Sequence, residues 1–338
     1  MSGAQFLQDA WHKQSKWLVL LRPLSLLYRT GFKVNRALYS KGIKSSYQAP
    51  VPVMVIGNIT VGGSGKTPLL IQLVNYLQQA NVRVGVISRG YGGRGPFPAC
   101  VDENADVNVV GDEPALIVQS TGVPMTVGPN RRAAIELLLE QHDLDLIISD
   151  DGLQHWALAR QIEWIVLDQN RGLGNEKMLP EGYLREPKTR LNTATVIEHS
   201  QQPQSDLHMY LQVAKPYLLN ASSDIAFNPN QGFYAVVGIG FPQRFYQTLD
   251  GMGLKHFQCH EFPDHHDYTI EDITFDDHQP IITTEKDAVK LMALLKQHPN
   301  FKQEIWVVPV DAVLSPACYT LLDQQLADVG IYIEKGSL

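Results

Sequence analysis

The chain has 338 residues, 44% hydrophobic and 19% charged, enough to bury a real core and, at this length, to suggest two domains. A net charge of −7 excludes an overall nucleic-acid-binding profile. Cys100, Cys259 and Cys318 lack CxxC or metal-like spacing, which supports neither a disulfide framework nor a zinc site and points to a reducing, cytosolic compartment.

The charge is unevenly spread. Residues 1–49 carry eight Lys/Arg against Asp9 alone, net +7, leaving −14 on the remainder. No apolar stretch here approaches the ~18 residues of a spanning helix, because Trp17 to Leu21 runs straight into Arg22 and Pro23. Basic residues on both sides and the lack of a small-residue cleavage site argue against a signal peptide. From Pro23 a helical pattern sets Arg22, Arg29, Lys33 and Arg36 on one stripe and Leu24, Leu27, Val34 and Leu38 on the opposite face. With Trp11, Trp17, Tyr28, Phe32 and Tyr39 nearby, residues 1–45 are expected to form a basic amphipathic arm on an anionic membrane surface. The alternative is that its apolar face packs on the body of the protein.

The run Val51 to Ile56 then leads through GNITVGGSGKTP (57–68) into the helix-like LLIQLVNYLQQ, so a strand passes through a glycine turn into a helix. This is a phosphate-binding loop. Gly62, Gly63, Ser64 and Gly65 turn backbone N–H groups toward an anion at a helix N-terminus, Lys66 reaches the terminal phosphates, and the Thr67 hydroxyl ligates Mg²⁺. The usual pattern has Gly where this loop has Thr60.

Beyond the loop come VRVGVIS (82–88) and the glycine-rich SRGYGG (88–93), where Tyr91, Arg89 and Arg94 either contact nucleotide or substrate phosphate or form a plain exposed loop. In VGDEP (110–114), Asp112 and Glu113 precede a helix, a pattern that serves N-terminal capping as readily as catalysis. The buried run LDLIIS ends in Asp150 and Asp151, placing two carboxylates at the carboxyl edge of a sheet, where they organise Mg²⁺. EWIVLD (163–168), FYAVVGIG, PIITT and IWVVPV continue an alternation of strands and helices that reads as mostly parallel sheet. Residues 196–230, rich in Gln, Ser, Asn and Pro, read as connecting ribbon or loop, with a domain boundary near residue 225. GIGFPQRF lacks the third glycine and the closing acid of a dinucleotide site, so strand–turn–helix packing accounts for it. In FPDHHDY, adjacent His265 and His266 do not share a helix face and do not support a dinuclear metal site.

These readings combine into an α/β fold: a P-loop NTPase-like, mostly parallel sheet flanked by helices (46–225), a second smaller α/β domain (226–338) and the N-terminal amphipathic helix. Taken together, GNITVGGSGKTP, SRGYGG, VGDEP, the Arg131 to Ala134 segment, SDDGLQH (149–155), LPEGYLREP (179–187), FPDHH (262–266) and TEKDAVK (284–290) resemble the tetraacyldisaccharide 4′-kinase family of Gram-negative bacteria over most of the chain. That family carries Thr at the position of Thr60. LPEGYLREP differs from the family's more usual LPAGPLREP at Glu181 and Tyr183 while keeping Arg185 and Glu186.

The resemblance implies transfer of the ATP γ-phosphoryl group to the 4′-hydroxyl of a membrane glycolipid, a tetraacylated glucosamine disaccharide 1-phosphate, at the cytoplasmic face of the bacterial inner membrane. It implies Asp112 as general base oriented by His265, Lys66 on the phosphates, and ATP held by Thr60, Gly62, Gly63, Ser64, Gly65, Lys66, Thr67 and Tyr91. Thr67, Asp150 and Asp151 organise Mg²⁺, with Glu113 and Glu186 as further members of that carboxylate cluster. Neither nucleic acid nor an obligate protein partner is called for. The rival class is a membrane-associated P-loop ATPase switch of the partitioning type, but such switches place a Lys just before the Gly-Gly pair, where this chain has Val61.

Overall fold

A computed structural model describes residues 3–220 and 226–333. The arm comprises α1 (Gly3–His12), a 3₁₀ turn over Lys16–Leu21 and α2 (Arg22–Ser40), with Pro23 in its first turn. Leu20, Leu24, Leu27 and Val34 stand exposed, Leu27 at 70%, whereas Leu38 is half-buried. The apolar face therefore does not pack on the body. The basic stripe is split: Arg22 pairs with Glu181 and Arg36 lies over the Trp156 ring, while Arg29 and Lys33 remain exposed. Among the described residues no helix is long and apolar enough to cross a membrane.

The elements that follow are β1 (Val53–Gly57), α3 (Lys66–Gln79), β2 (Val84–Ser88), β3 (Ala99–Val101), α4 (Val107–Val110), α5 (Asp112–Thr121), β4 (Met125–Val127), α6 (Arg131–Gln141), β5 (Leu146–Asp150), β6 (Ile162–Asp168), β7 (Thr195–His199) and β8 (His208–Val213). A first sheet runs β8-β7-β6-β1-β5-β2-β4-β3, parallel except for the β3–β4 edge. Its central strands are buried on both faces, as a parallel sheet between helical layers requires. Met54, Ile56, Leu146, Ile148 and Trp164 pack on one side with Leu70, Leu73 and Leu77 of α3 and Ile117 and Val118 of α5. On the other side Val53, Val55, Ile147 and Ile165 pack with Ala134, Ile135 and Leu138 of α6.

A second sheet is formed by β9 (Tyr217–Leu218), β10 (Phe233–Val237), β11 (Phe257–Glu261), β12 (Ile281–Thr284) and β13 (Ile305–Val308), with α7 (Pro242–Gly251) and α8 (Glu285–Gln297) against its faces. Its order is β11-β10-β12-β13-β9.

The expected division at 225 falls within 221–225, outside the described residues. Residues 196–230 are not simply ribbon, since they contain most of β7 and all of β8 and β9. The run IWVVPV is also not one strand. Pro309 has no N–H to continue a ladder, and beyond it β14 (Val310–Leu314) leaves the second sheet and pairs antiparallel with β8, followed by α9 (Pro316–Asp328). Cys318, Leu322 and Leu326 of α9 enter the first core, and Gln325 accepts from the Trp164 indole at 2.8 Å. The C-terminal residues thus return to the first sheet, and the second sheet is an insertion between β8 and β14.

Candidate active site

The phosphate loop leaves the centre of the first sheet and is pinned from three directions. Asn58, fully buried, donates through Nδ2 to the Gly62 carbonyl at 3.1 Å and the Ser64 hydroxyl at 3.2 Å, and lies 3.3 Å from the Thr60 hydroxyl. Thr60 thus adds a side-chain partner that glycine lacks. Along one flank, Val61 N–H donates to the Tyr183 carbonyl at 2.9 Å and Arg185 N–H to the Ile59 carbonyl at 2.7 Å. Arg171 draws the Val61 and Gly63 carbonyls outward at 2.9 and 3.3 Å, and His199 Nδ1–H donates to the Ser64 carbonyl at 2.9 Å. Gly62 and Gly65 sit at φ +95° and +92°, where a Cβ would lie 2.9 Å from Arg171 Nη1 and from His199 Nδ1 respectively. Within the described residues nothing accepts from the N–H groups of Gly62 to Gly65, so the loop is a cradle of unpaired donors at the start of α3, a fit for a phosphate chain.

Asp150 ends β5 directly across from Ile56 of β1. Its Oδ2 accepts from Ser88 Oγ at 3.4 Å, while buried Oδ1 has no hydrogen-bond partner among the described residues. Burial, reinforced by the nearby Glu113 and Asp151 carboxylates, pushes its pKa up to about 7. Asp151, at φ +47°, goes the other way: burial opposes its ionisation, but Lys66 at 3.6 Å and Arg185 at 2.9 Å hold it down to about 2. An orphaned carboxylate oxygen with a raised pKa, beside an ionised neighbour, is a donor set suited to a divalent cation. Buried Arg131 loses basicity to burial, its pKa lowered to about 10 although Asp150 and Asp151 favour its charge. His155 is held near 4 by burial and by Arg131, Arg160 and Arg89, so it is neutral at physiological pH.

The expected four-carboxylate cluster does not form. Among the described residues no three His, Cys, Asp or Glu side chains converge as a metal cage. Glu186 is fully buried, accepting from Gln154 Nε2 at 2.6 Å with Arg190 at 3.2 Å, and burial raises its pKa in spite of both. Glu113 is drawn to Lys286 of α8 at 3.0 Å.

Glycine at φ +97° in Gly111 introduces α5 and its first residue, Asp112, only 3% exposed. His265, itself at φ +61° in the loop after β11, places Nδ1 2.9 Å from both Asp112 carboxylate oxygens. The pair joins the two sheets. Burial disfavours the Asp112 charge, but the His265 hydrogen bond and the Lys286 and Lys290 charges at 3.9 and 3.7 Å outweigh it and hold the pKa near 2. An ionised Asp112 is met by the Nδ1–H of His265, whose Nε2 lies 3.8 Å from Asp264. The Tyr91 ring lies 4.9 Å from the His265 ring and is 66% exposed. Lys286 also holds Asp264 at 3.1 Å, and a Cβ on Gly240 would lie 3.0 Å from Asp264 and 3.8 Å from the Gly63 nitrogen, so the second sheet backs directly onto the phosphate loop. His266 lies elsewhere, stacked on Phe262 and bonded to Asp272.

Lys66, the loop glycines and Asp151 thus meet at the carboxyl edge of the first sheet, with Asp112, His265 and Tyr91 at its junction with the second. Sequence reading assigned no role to Asn58, Arg171, His199, Lys286 or Lys290. The one local signal was the i, i+4 lysine pair of TEKDAVK, which puts both ammonium groups on one face of α8. The two departures in LPEGYLREP have structural partners in the arm: Glu181 pairs with Arg22 and the Tyr183 ring meets Trp11 at 6.4 Å.

The family model described as LpxK, tetraacyldisaccharide-1-P 4′-kinase, matches residues 17–327. The chain is 47% identical to the tetraacyldisaccharide 4′-kinase of Psychrobacter cryohalolentis, over 96% of each chain. It is 42% identical to that of Pseudomonas paraeruginosa, over 96% of this chain and 98% of the relative. Among solved structures, an LpxK from Aquifex aeolicus in complex with ATP superposes with a TM-score of 0.74 at 26% identity, covering 92% of this chain and 99% of that one.

Proposed function

The chain belongs to the tetraacyldisaccharide-1-P 4′-kinase family, and from that premise we propose that it transfers the γ-phosphoryl group of ATP to the 4′-hydroxyl of a tetraacylated glucosamine disaccharide 1-phosphate, completing a step of lipid A assembly. The observation that carries the reading is the Asp112–His265 pair, contributed by the two sheets and set beside a phosphate loop whose donors meet no acceptor among the described residues. Lys66 and the N–H groups of Gly62 to Gly65 hold the β- and γ-phosphates, and Tyr91 flanks the transfer site. Thr67, Asp150 and Asp151 would hold Mg²⁺, which when bound neutralises charge on the phosphates. Glu113, bound to Lys286, keeps the second sheet against this edge, and Glu186 supports the loop's flank from within.

A new bond forms between the sugar 4′-oxygen and the γ-phosphorus, the bond from that phosphorus to the β–γ bridging oxygen breaks, and ADP leaves. The hydroxyl proton goes to the dyad. Asp112, ionised and oriented by His265 and the Glu113 N–H, is the general base that takes it. His265 Nδ1, 2.9 Å from both carboxylate oxygens, holds Asp112 in place from the second sheet. Lys286 and Asp264 close the second sheet over the loop, which keeps water, a competing acceptor, from the phosphoryl group.

The substrate's acyl chains remain in a bilayer, which gives the exposed apolar face of α2 a role at the anionic cytoplasmic surface of the inner membrane. A partitioning-type ATPase switch is not favoured, since Val61 stands at the position of its signature lysine. The test is incubation with ATP, Mg²⁺ and the disaccharide 1-phosphate in detergent, followed by ³¹P NMR of the product. A second monoester on the 4′-carbon is expected; a product phosphorylated elsewhere, or none, overturns the assignment.

A further inference from the structure

The arm has an inner face as well as an apolar outer one. Arg22, Ser25, Tyr28, Phe32 and Arg36 recur at three- and four-residue intervals along α2, one stripe of the helix. Each meets the body. Arg22 donates to Glu181 at 2.9 Å, Ser25 Oγ accepts the Glu181 N–H at 2.8 Å, and Tyr28 donates to the Arg185 carbonyl at 3.0 Å. Farther along, Phe32 lies 6.4 Å from the Trp156 ring and the Arg36 guanidinium 5.5 Å over it.

The segment gripped at 181–185 is the one that holds the phosphate loop. Tyr183 and Arg185 pair by backbone with Val61 and Ile59, and the Arg185 guanidinium reaches Asn58 at 3.2 Å and Asp151 at 2.9 Å. The Tyr183 hydroxyl donates to the Arg171 carbonyl at 2.8 Å, and its ring lies 5.4 Å from the guanidinium that ties back the Val61 and Gly63 carbonyls. Trp11 of α1 closes the other side, its indole N–H donating to the Pro180 carbonyl at 3.0 Å.

We propose that the arm is a positioning element for the nucleotide site: the inner stripe of α2 fixes segment 181–185 and, through it, the phosphate loop, with Tyr28 and Glu181 as positioning residues. The inference rests on the reading of that loop as the nucleotide site. A tether that only anchored the protein would have no bearing on ATP in the absence of a membrane. Here the contacts run unbroken from α2 to the carbonyls whose orientation exposes the phosphate-binding N–H groups.

The experiment is calorimetric titration of ATP into the full chain in detergent without lipid, with thermal midpoints recorded alongside. The unaltered chain, Lys66→Met, Tyr28→Phe, Glu181→Gln and the outer-face double variant Leu24→Gln/Leu27→Gln are compared. Tyr28→Phe removes a single hydroxyl from a partly exposed ring and keeps the measurement interpretable if Glu181→Gln misfolds. Tyr28→Phe on the inner stripe and Glu181→Gln on the segment it grips, together the inner-stripe variants, are each expected to weaken ATP binding roughly three- to tenfold, while the outer-face variant binds ATP as the unaltered chain does. Inner-stripe variants that bind ATP within about twofold of the unaltered chain, or an outer-face variant that weakens it equally, overturn the proposal alone. An unaltered chain that binds no better than Lys66→Met overturns the nucleotide-site reading, and the proposal with it.

Discussion

Replacing Asp150 by Asn in the nucleotide-free chain probes the charge balance of the site through stability. Burial and the Glu113 and Asp151 carboxylates raise its pKa from 3.8 to about 7. A carboxyl whose folded value lies above its unfolded one opposes folding when it ionises. The cost is absent below about pH 4, grows as pH rises toward 7, and is complete above that, at about 4 kcal/mol. Asn keeps the shape without the charge, so the stability gain of Asp150→Asn over the unaltered chain should increase by about 3 kcal/mol between about pH 5 and about pH 8. With an unfolding entropy of about 2.1 cal/mol/K per residue over the whole chain, that is a difference of about 4 °C in Tm. Differential scanning calorimetry of both proteins with a chelator and no nucleotide, across that pH range, reads it directly. A Tm difference that does not change with pH, or that shrinks as pH rises, refutes the reasoning. Mg²⁺ should narrow the gap above pH 7 by stabilising the unaltered chain, and the Asn variant should lose kinase activity.

His265→Ala and Asp112→Ala should each lower kcat roughly ten- to a thousandfold with ATP binding retained, as read by steady-state rates beside calorimetry; near-normal turnover in either removes the dyad from the mechanism. Gly65→Ala, which puts a Cβ 2.9 Å from His199 and Met209 at φ +92°, should raise the KM for ATP at least about tenfold. In a flotation assay with vesicles containing anionic lipid, Leu24→Gln/Leu27→Gln should lose most membrane retention, and unchanged retention would remove the arm's outer face from membrane binding.

The parts of the site legible in sequence are those made by neighbours in the chain. The phosphate loop reads clearly because strand, glycines, Lys66 and helix are contiguous, and Asp150 and Asp151 read clearly because a buried apolar run ends on them. The Asp112–His265 pair is separated by 153 positions, and no periodicity links the two; only the resemblance to a family of kinases joined them. Asn58, Arg171 and His199 were missed for a related reason: each bonds backbone carbonyls of the loop, and such contacts leave no side-chain pattern. Glu186 shows the converse, since an acid inside a recognisable motif turned out to be fully buried against Gln154 and Arg190. In the fold, alternation identified strands but not which sheet receives them. The return of β14 and α9 to the first sheet was signalled only by Pro309, and a lone proline marks a break without saying where the chain goes next.

The central claim is that the γ-phosphoryl group passes to a lipid hydroxyl and not to water. A single-turnover experiment with γ-labelled ATP, Mg²⁺ and detergent-dispersed disaccharide 1-phosphate, with label counted in lipid and in inorganic phosphate, measures that partition. Nearly all transferred label is expected in the lipid, and without lipid the ATP should stay largely intact. Label released as inorganic phosphate at a rate indifferent to the lipid would contradict it.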